Sequence, residues 1–387
     1  MKSGSFLPAV FVACALCLAE PPAAGSAEPA AGTAVAKVIA LSGEARAGTR
    51  ILQVGGGIAV GENIMSGRGG YATIEFSDYS VIHINPDTRL RIETHRASSA
   101  PGAFETRLRL GAGALEAAVA RRGAPDFSIA SLSGSIATRG ADFRVRGGDE
   151  AMLVEVLRGS VAVAGTSGWQ TVTVDAGHGT RVRAMEAPLV PVKLLGAPDA
   201  SSVAQLQQRP VVRLRFAPLA GAQSYRIVAA MDRDLREVIL ENMQRRPEVR
   251  MVDLRDGEYF YGVRAIDALG LEGAEARGRF RLKARPLPPV AQAPELEAVL
   301  QPGNVAFRWL AAEEAVAYRF QLATEEAFAA PLVNRGALPA RELTVENLEA
   351  GRYYWRVASV RADGDQGPFS DPHRLTLRAP LPEQQTQ

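Results

Sequence analysis

From Ala34 to Ala184, apolar and polar residues alternate in short runs. Ala72, Ile74 and Phe76 interleave with Tyr71, Thr73 and Glu75, and Ile82 and Ile84 with Val81 and His83. Leu90 and Ile92 interleave with Arg89, Arg91 and Glu93, and Leu108 and Leu110 with Arg107 and Arg109. Ala141, Phe143 and Val145 do so with Asp142, Arg144 and Arg146. Successive side chains of a strand point to opposite faces, so a period of two predicts short strands with one buried face. Turn formers separate the runs at Gly67-Arg68-Gly69-Gly70, Asn85-Pro86-Asp87, Ser133-Gly134, Gly147-Gly148-Asp149 and Ala176-Gly177-His178-Gly179. Ala112 to Val119 has some helical propensity, but it is short and glycine-led, and reads as a strand or a single turn.

The second half repeats itself. Arg215-Phe216, Tyr225-Arg226-Ile227 and Leu235 recur 93 residues later as Arg308-Trp309, Tyr318-Arg319-Phe320 and Phe328. Leu254, Gly257, Tyr259, Tyr261 and Val263 recur 94 residues later as Leu348, Gly351, Tyr353, Trp355 and Val357. A unit of about 95 residues is the size of a seven-stranded immunoglobulin-like sandwich. The register predicts that Trp309 and Trp355 share one core, matched by Phe216 and Tyr261 in the preceding unit. It also predicts that a buried tyrosine hydroxyl finds a backbone partner at the sandwich corner. The stretch Ala284-Arg285-Pro286-Leu287-Pro288-Pro289-Val290 reads as a semi-rigid linker between the units, and Ala187 to Pro191 as a shorter joint before them.

Two resemblances follow from these residues. Ala36 to Gly43, Val60-Gly61-Glu62-Asn63-Ile64 and Ala72 to Ser80 resemble the opening of the FecR domain. Ser135 to Val145, with Thr138, Arg139, Gly140 and Phe143, then Leu153 to Val163 with Gly159, and Thr173 to Gly179 with Gly177, resemble its later signatures in the same order. Departures are Asn63, Ser66, Tyr79 where glycine is usual, and Ala141 where threonine is usual. The segments Gly257 to Ala265 and Gly351 to Ala358 resemble fibronectin type III domains. Together these imply an all-β chain. A FecR-type β-solenoid-like or β-roll domain at 34–185 would precede two immunoglobulin-like, fibronectin type III-like β-sandwiches at 190–284 and 294–378, with a disordered tail at 379–387.

The N-terminus changes the picture of where such a chain works. Lys2 precedes an apolar run, Phe6 to Ala19, of signal-peptide length and too short to span a bilayer. Gly25-Ser26-Ala27 fits cleavage after residue 27. An uncleaved anchor, and a lipoprotein through Cys14, are the rival readings. Both cysteines, Cys14 and Cys17, lie in this segment, so a processed chain carries none; disulfide scaffolds, thiol catalysis and cysteine metal sites are then excluded together. No later apolar stretch is long enough to cross a membrane. The expected location is the periplasm or outer surface of a Gram-negative bacterium.

Charge adds little. The formal net charge is +2, with 44 basic and 42 acidic residues, and neither half is a nucleic-acid binder. The histidines His83, His95, His178 and His373 are not at ligand spacing, and no nucleophile elbow or phosphate loop is present. The sequence therefore predicts no catalytic residues, no cofactor and no metal. Arg89, Arg91, Arg107, Arg109, Arg144 and Arg146 fall on the polar faces of three predicted strands. If those strands adjoin, their guanidinium groups form a ladder suited to carboxylate or phosphate. Cross-strand ion pairs on a solvated face are the competing reading.

In its best-known members the FecR domain is the periplasmic part of an iron-transport sensor, so the resemblance implies a periplasmic or surface interaction module. The sequence leads to a non-enzymatic envelope scaffold or binding protein, with an envelope protein or peptidoglycan as partner. A sensor partner acting through a separate membrane protein, and a secreted carbohydrate-active protein, are the alternatives.

Overall fold

The computed structural model describes residues 33–99, 101–121, 126–166 and 170–379, and its elements are all strands. The expected leader with its two cysteines, and residues 380–387 of the expected tail, lie outside the described residues.

The first part is two sheets that share one strand. Phe104–Ala118 pairs through its first half with Arg89–Ala97 and Asp126–Ala130, and through its second half with Val81–Ile84 and Asp142–Gly147. The strand changes sheets at Gly113 (φ 95°), where a Cβ would lie 2.3 Å from the Thr88 hydroxyl. Only glycine combines this backbone with such an approach. The segment with some helical propensity is thus the second half of a long strand.

In spatial order the first sheet runs Gly57–Ala59, Ala34–Ser42, Tyr71–Phe76, Val81–Ile84, the shared strand, Asp142–Gly147, Ala151–Arg158, His178–Arg183 and Val192–Lys193. The second runs Arg50–Ile51, Ala45–Ala47, Asn63–Ser66, Arg89–Ala97, the shared strand, Asp126–Ala130, Gly134–Thr138, Ser160–Gly165 and Thr171–Asp175. The chain passes back and forth between the sheets, which gives the solenoid-like character. The apolar phase of each strand points inward, and Ile74, Ile84, Leu115, Phe143 and Val154 meet Ile64, Leu90, Leu110, Phe127 and Val163 in one core.

Two sandwiches follow. In the first, Leu206–Gln207, Glu272–Leu282, Gly257–Ile266, Ser224–Ala230 and Val238–Gln244 form one sheet, and Val212–Arg215 with Glu248–Met251 the other. The second has the same plan. Its core holds Trp309 and Trp355 with Phe320 between them, at centroid distances of 6.0 and 6.1 Å. Phe216 and Tyr261 occupy the matching core at 5.5 Å. The corner tyrosines repeat as well: Tyr259 Oη donates to Arg255 O at 2.7 Å, and Tyr353 Oη to Glu349 O at 3.1 Å.

At the junction of the sandwiches, Lys283 Nζ lies 3.2 Å from Asp256 of the first and 2.8 Å from Asp365 of the second. Arg209 of the first forms a close ion pair with Asp371 of the second.

Two stability predictions follow from these environments. Trp309→Ala should cost about 3–5 kcal/mol, since the indole is fully buried among aromatics; chemical denaturation followed by tryptophan fluorescence measures it. Tyr79 is 68% exposed and held at φ 65°, so its side chain gains little from burial while its backbone is strained. Tyr79→Gly, the residue usual in FecR domains, should stabilise the first domain by about 1 kcal/mol in the same assay.

Candidate functional site

Alternation predicts a solvated outer face for the first sheet. Instead the first sandwich covers it. Tyr71, Arg144 and Glu155 lie on that face and are all buried.

The register assembles the buried row. Across adjacent strands, Thr73 stands opposite His83, His83 opposite Glu116, Glu116 opposite Arg144, and Arg144 opposite Glu155. Arg146 sits two residues beyond Arg144 on the same face. The sandwich presents the outer face of its larger sheet. There Arg226 stands opposite Arg264, and Arg264 opposite Glu275, while Glu272 begins the last strand and Glu241 sits on the edge strand.

Glu272 is the centre of the cluster. Its carboxylate lies 3.0 Å from Arg264, 3.3 Å from Arg146, 3.5 Å from Arg226 and 3.6 Å from Arg144. Its backbone N–H donates to Glu155 Oε1 at 3.0 Å, and its carbonyl accepts from Arg144 Nη2 at 2.8 Å. Arg264 reaches Glu116 across the interface at 2.6 Å and its neighbour Glu275 at 2.8 Å. Arg226 pairs with Glu241 at 2.5 Å, and the Tyr71 hydroxyl donates a short hydrogen bond to the same carboxylate. Removing such charges from water costs several kcal/mol per ion, so each must find partners inside. Here nearly every guanidinium is met by at least two carboxylates or carbonyls.

Four guanidinium groups face five carboxylates, and the titration of the acids reflects the imbalance. Burial and the neighbouring Glu272 push the Glu155 carboxyl up to about 7, against the pull of Arg144 and Arg146. For Glu272, burial is outweighed by Arg226, Arg264, Arg146 and Arg144, which hold it well below the ordinary range. Burial likewise opposes the Glu116 carboxylate, and Arg264 overcomes it. Burial lowers His83, whose Nδ1 is 2.8 Å from the Thr73 hydroxyl, so the ring stays neutral. Protonation of Glu155, which burial and Glu272 favour, brings the cluster to equal charges of each sign.

The structure divides the six arginines proposed from the sequence. Arg144 and Arg146 belong to the interdomain cluster. Their predicted place on a polar face is met in phase, but Arg144 is buried because a second domain lies on that face. Arg89, Arg91, Arg107 and Arg109 lie on the outer face of the second sheet and are exposed. Arg91 stands directly opposite Arg109 there. Arg107 pairs with Glu105 at 2.5 Å, and Arg109 pairs closely with Glu93. A single six-arginine ladder does not form; on the second sheet Arg91 faces Arg109, with Arg89 opposite Ala112 and Arg107 opposite Thr94.

The residues shared with the FecR signature build turns. Thr138 Oγ1 donates to Ser160 O at 2.9 Å and accepts from Gly140 N at 3.2 Å. Gly140, Gly159 and Gly177 all have positive φ, and Phe143 packs edge-on against Phe127. Arg139 is exposed. Among the described residues, no group of three His, Cys, Asp or Glu side chains is placed to hold a metal.

The family model described as FecR protein matches residues 62–162, so the chain contains a FecR domain. No curated protein matches the chain. Solved structures similar to it include a putative anti-sigma factor from Parabacteroides distasonis, at 20% identity over 34% of this chain, with a TM-score of 0.30. The chain covers 59% of that structure, less than two thirds of its length. The FN1–FN3 domains of chicken CNTN1 align at 15% identity over 75% of this chain and 97% of theirs, with a TM-score of 0.25. A two-domain fibronectin type III segment of chicken tenascin aligns at 12% identity over 48% of this chain and 99% of its own, with a TM-score of 0.21.

A pH prediction follows from Glu155. A carboxyl whose folded pKa is raised contributes stability below its unfolded pKa and loses it as the pH rises through the folded value. The stability of the wild type relative to Glu155→Gln should therefore fall as the pH rises from about 4.5 to about 7. Glutamine mimics the protonated acid and keeps the acceptor for Glu272 N. Melting temperatures of the two proteins across this range measure the difference; a constant difference would contradict it.

Proposed function

We propose that the protein is a non-catalytic binding module of the bacterial cell envelope, exported to the periplasm or outer surface, whose FecR domain makes a regulatory or sensing contact with another envelope protein. The observation that carries this reading is the unequal use of the domain's two faces. One face is committed to the chain's own first sandwich through the buried cluster. The other presents Arg89, Arg91, Arg107 and Arg109 on a sheet surface that no other part of the described chain covers. Among the described residues, Glu93 and Glu105 are the acids paired with these arginines, so the surface favours an acidic partner.

The FecR match supports a periplasmic regulatory role, and the sandwiches extend the module away from the contact. The converging polar groups of the interface are engaged in ion pairs with one another, which supports holding domains together over turning over a substrate.

Cross-linking in intact cells followed by affinity capture tests the reading. The expected result is a discrete envelope protein that is recovered with the wild type and lost with Arg89→Glu/Arg91→Glu. Recovery of peptidoglycan fragments in its place would replace the partner. Hydrolysis of cell-wall glycans by the purified chain would overturn the non-catalytic reading.

A further inference from the structure

Between the FecR domain and the first sandwich lies a cleft of about 560 Å³ that the ionic cluster does not fill. One wall is the strand Val238–Gln244, represented by Val238, Ile239, Leu240, Glu241 and Met243. This strand is the edge of its sheet and pairs on one side only, with Ser224–Ala230. None of its residues makes a further backbone hydrogen bond to other described segments. An edge strand keeps a row of N–H and C=O groups free for pairing, and proteins ordinarily protect such rows with charge, proline or bulges.

Apart from one register shift at Ile239, this edge is little protected. Its only charged residue, Glu241, is engaged by Arg226 and Tyr71. Ile239 and Met243 are 41% and 55% exposed on the same face of the strand. The equivalent strand of the second sandwich, Val333–Leu338, carries Arg335 and Gly336; the pairing of each edge strand with its neighbour includes one register shift.

The FecR wall of the cleft supplies polar groups without partners. Asn85 is 7% exposed, and its Oδ1 has no hydrogen-bond partner. Arg68 is exposed and makes no ion pair among the described residues.

We propose that this cleft binds an extended peptide segment of a partner protein by strand addition to Val238–Gln244. The main chain of the peptide pairs with the free edge. Alternate apolar side chains pack on Ile239 and Met243, and an acidic side chain meets Arg68. The proposal rests on the reading of the protein as a binding module and gives it a partner chemistry and a place.

The test uses the full chain and a random-peptide display library. Selected peptides should alternate apolar residues and carry an acidic one. Ile239→Lys/Met243→Lys should weaken their binding by about tenfold or more, and Arg68→Glu by a smaller factor, with melting unchanged because these side chains are exposed. Methylating alternate backbone nitrogens of a selected peptide should abolish binding in one phase and spare it in the other, which side-chain recognition alone would not produce. Failure to select any peptide would overturn the proposal, as would binders indifferent to the edge variants. A chain that self-associates and becomes monomeric with Ile239→Lys would replace the peptide by a second copy. Loss of the strand-addition site would leave the envelope partner captured through the exposed arginines of the second sheet intact, so the two readings fail separately.

Discussion

The architecture depends on the removal of three arginines from water at one interface. A guanidinium cannot give up its charge, so burying it commits the surrounding chain to supply anions and carbonyls in fixed positions. Arg144, Arg226 and Arg264 are each less than a tenth exposed, and Glu272 stands among them. Withdrawing the sandwich from the FecR domain would leave Arg144 without the Glu272 carbonyl and Arg264 without Glu116. The orientation of the two domains is therefore specified by polar geometry, while an apolar contact of the same area would tolerate sliding.

The FecR sheet provides this geometry because its strands are in register. A row of cross-strand neighbours runs histidine, glutamate, arginine and glutamate, so Arg144 is flanked by Glu116 and Glu155 within its own sheet. The sandwich then places two arginines side by side, which would repel if Glu272, Glu275 and Glu116 were not already there. Each domain is the counterion of the other. The raised pKa of Glu155 answers the one remaining excess of negative charge.

Much of the fold was legible because alternation and repetition are local. The inward phases of Ile74, Leu90, Phe143 and Val145 were read from a period of two. The equivalence of Trp309 with Phe216 and of Trp355 with Tyr261 was read from a fixed offset. The interface was not legible. Thr73, His83, Glu116, Arg144 and Glu155 span more than eighty residues and become neighbours only through strand register, which composition does not encode. One clue was present in the repeat: Arg264 occupies a position filled by Ala358 in the second unit, and a charge set among Val263, Ala265 and Ile266 marks a face that meets something polar. Grouping Arg144 and Arg146 with the exposed arginines followed from correct phase without knowledge of what covers that phase.

Lys283, one of four lysines in the chain, holds carboxylates of both sandwiches with a single flexible side chain. The joint it closes is one-quarter exposed, in contrast to the buried cluster on the far side of the same sandwich. Mobile ions screen the first kind of contact and scarcely touch the second. The molecule thus has a stiff end and a compliant end, and ionic strength acts on only one of them. Salt therefore weakens the Lys283 contact before it reaches the FecR interface, while the hydrogen bond from Ser359 to Leu287 O in the linker is left in place.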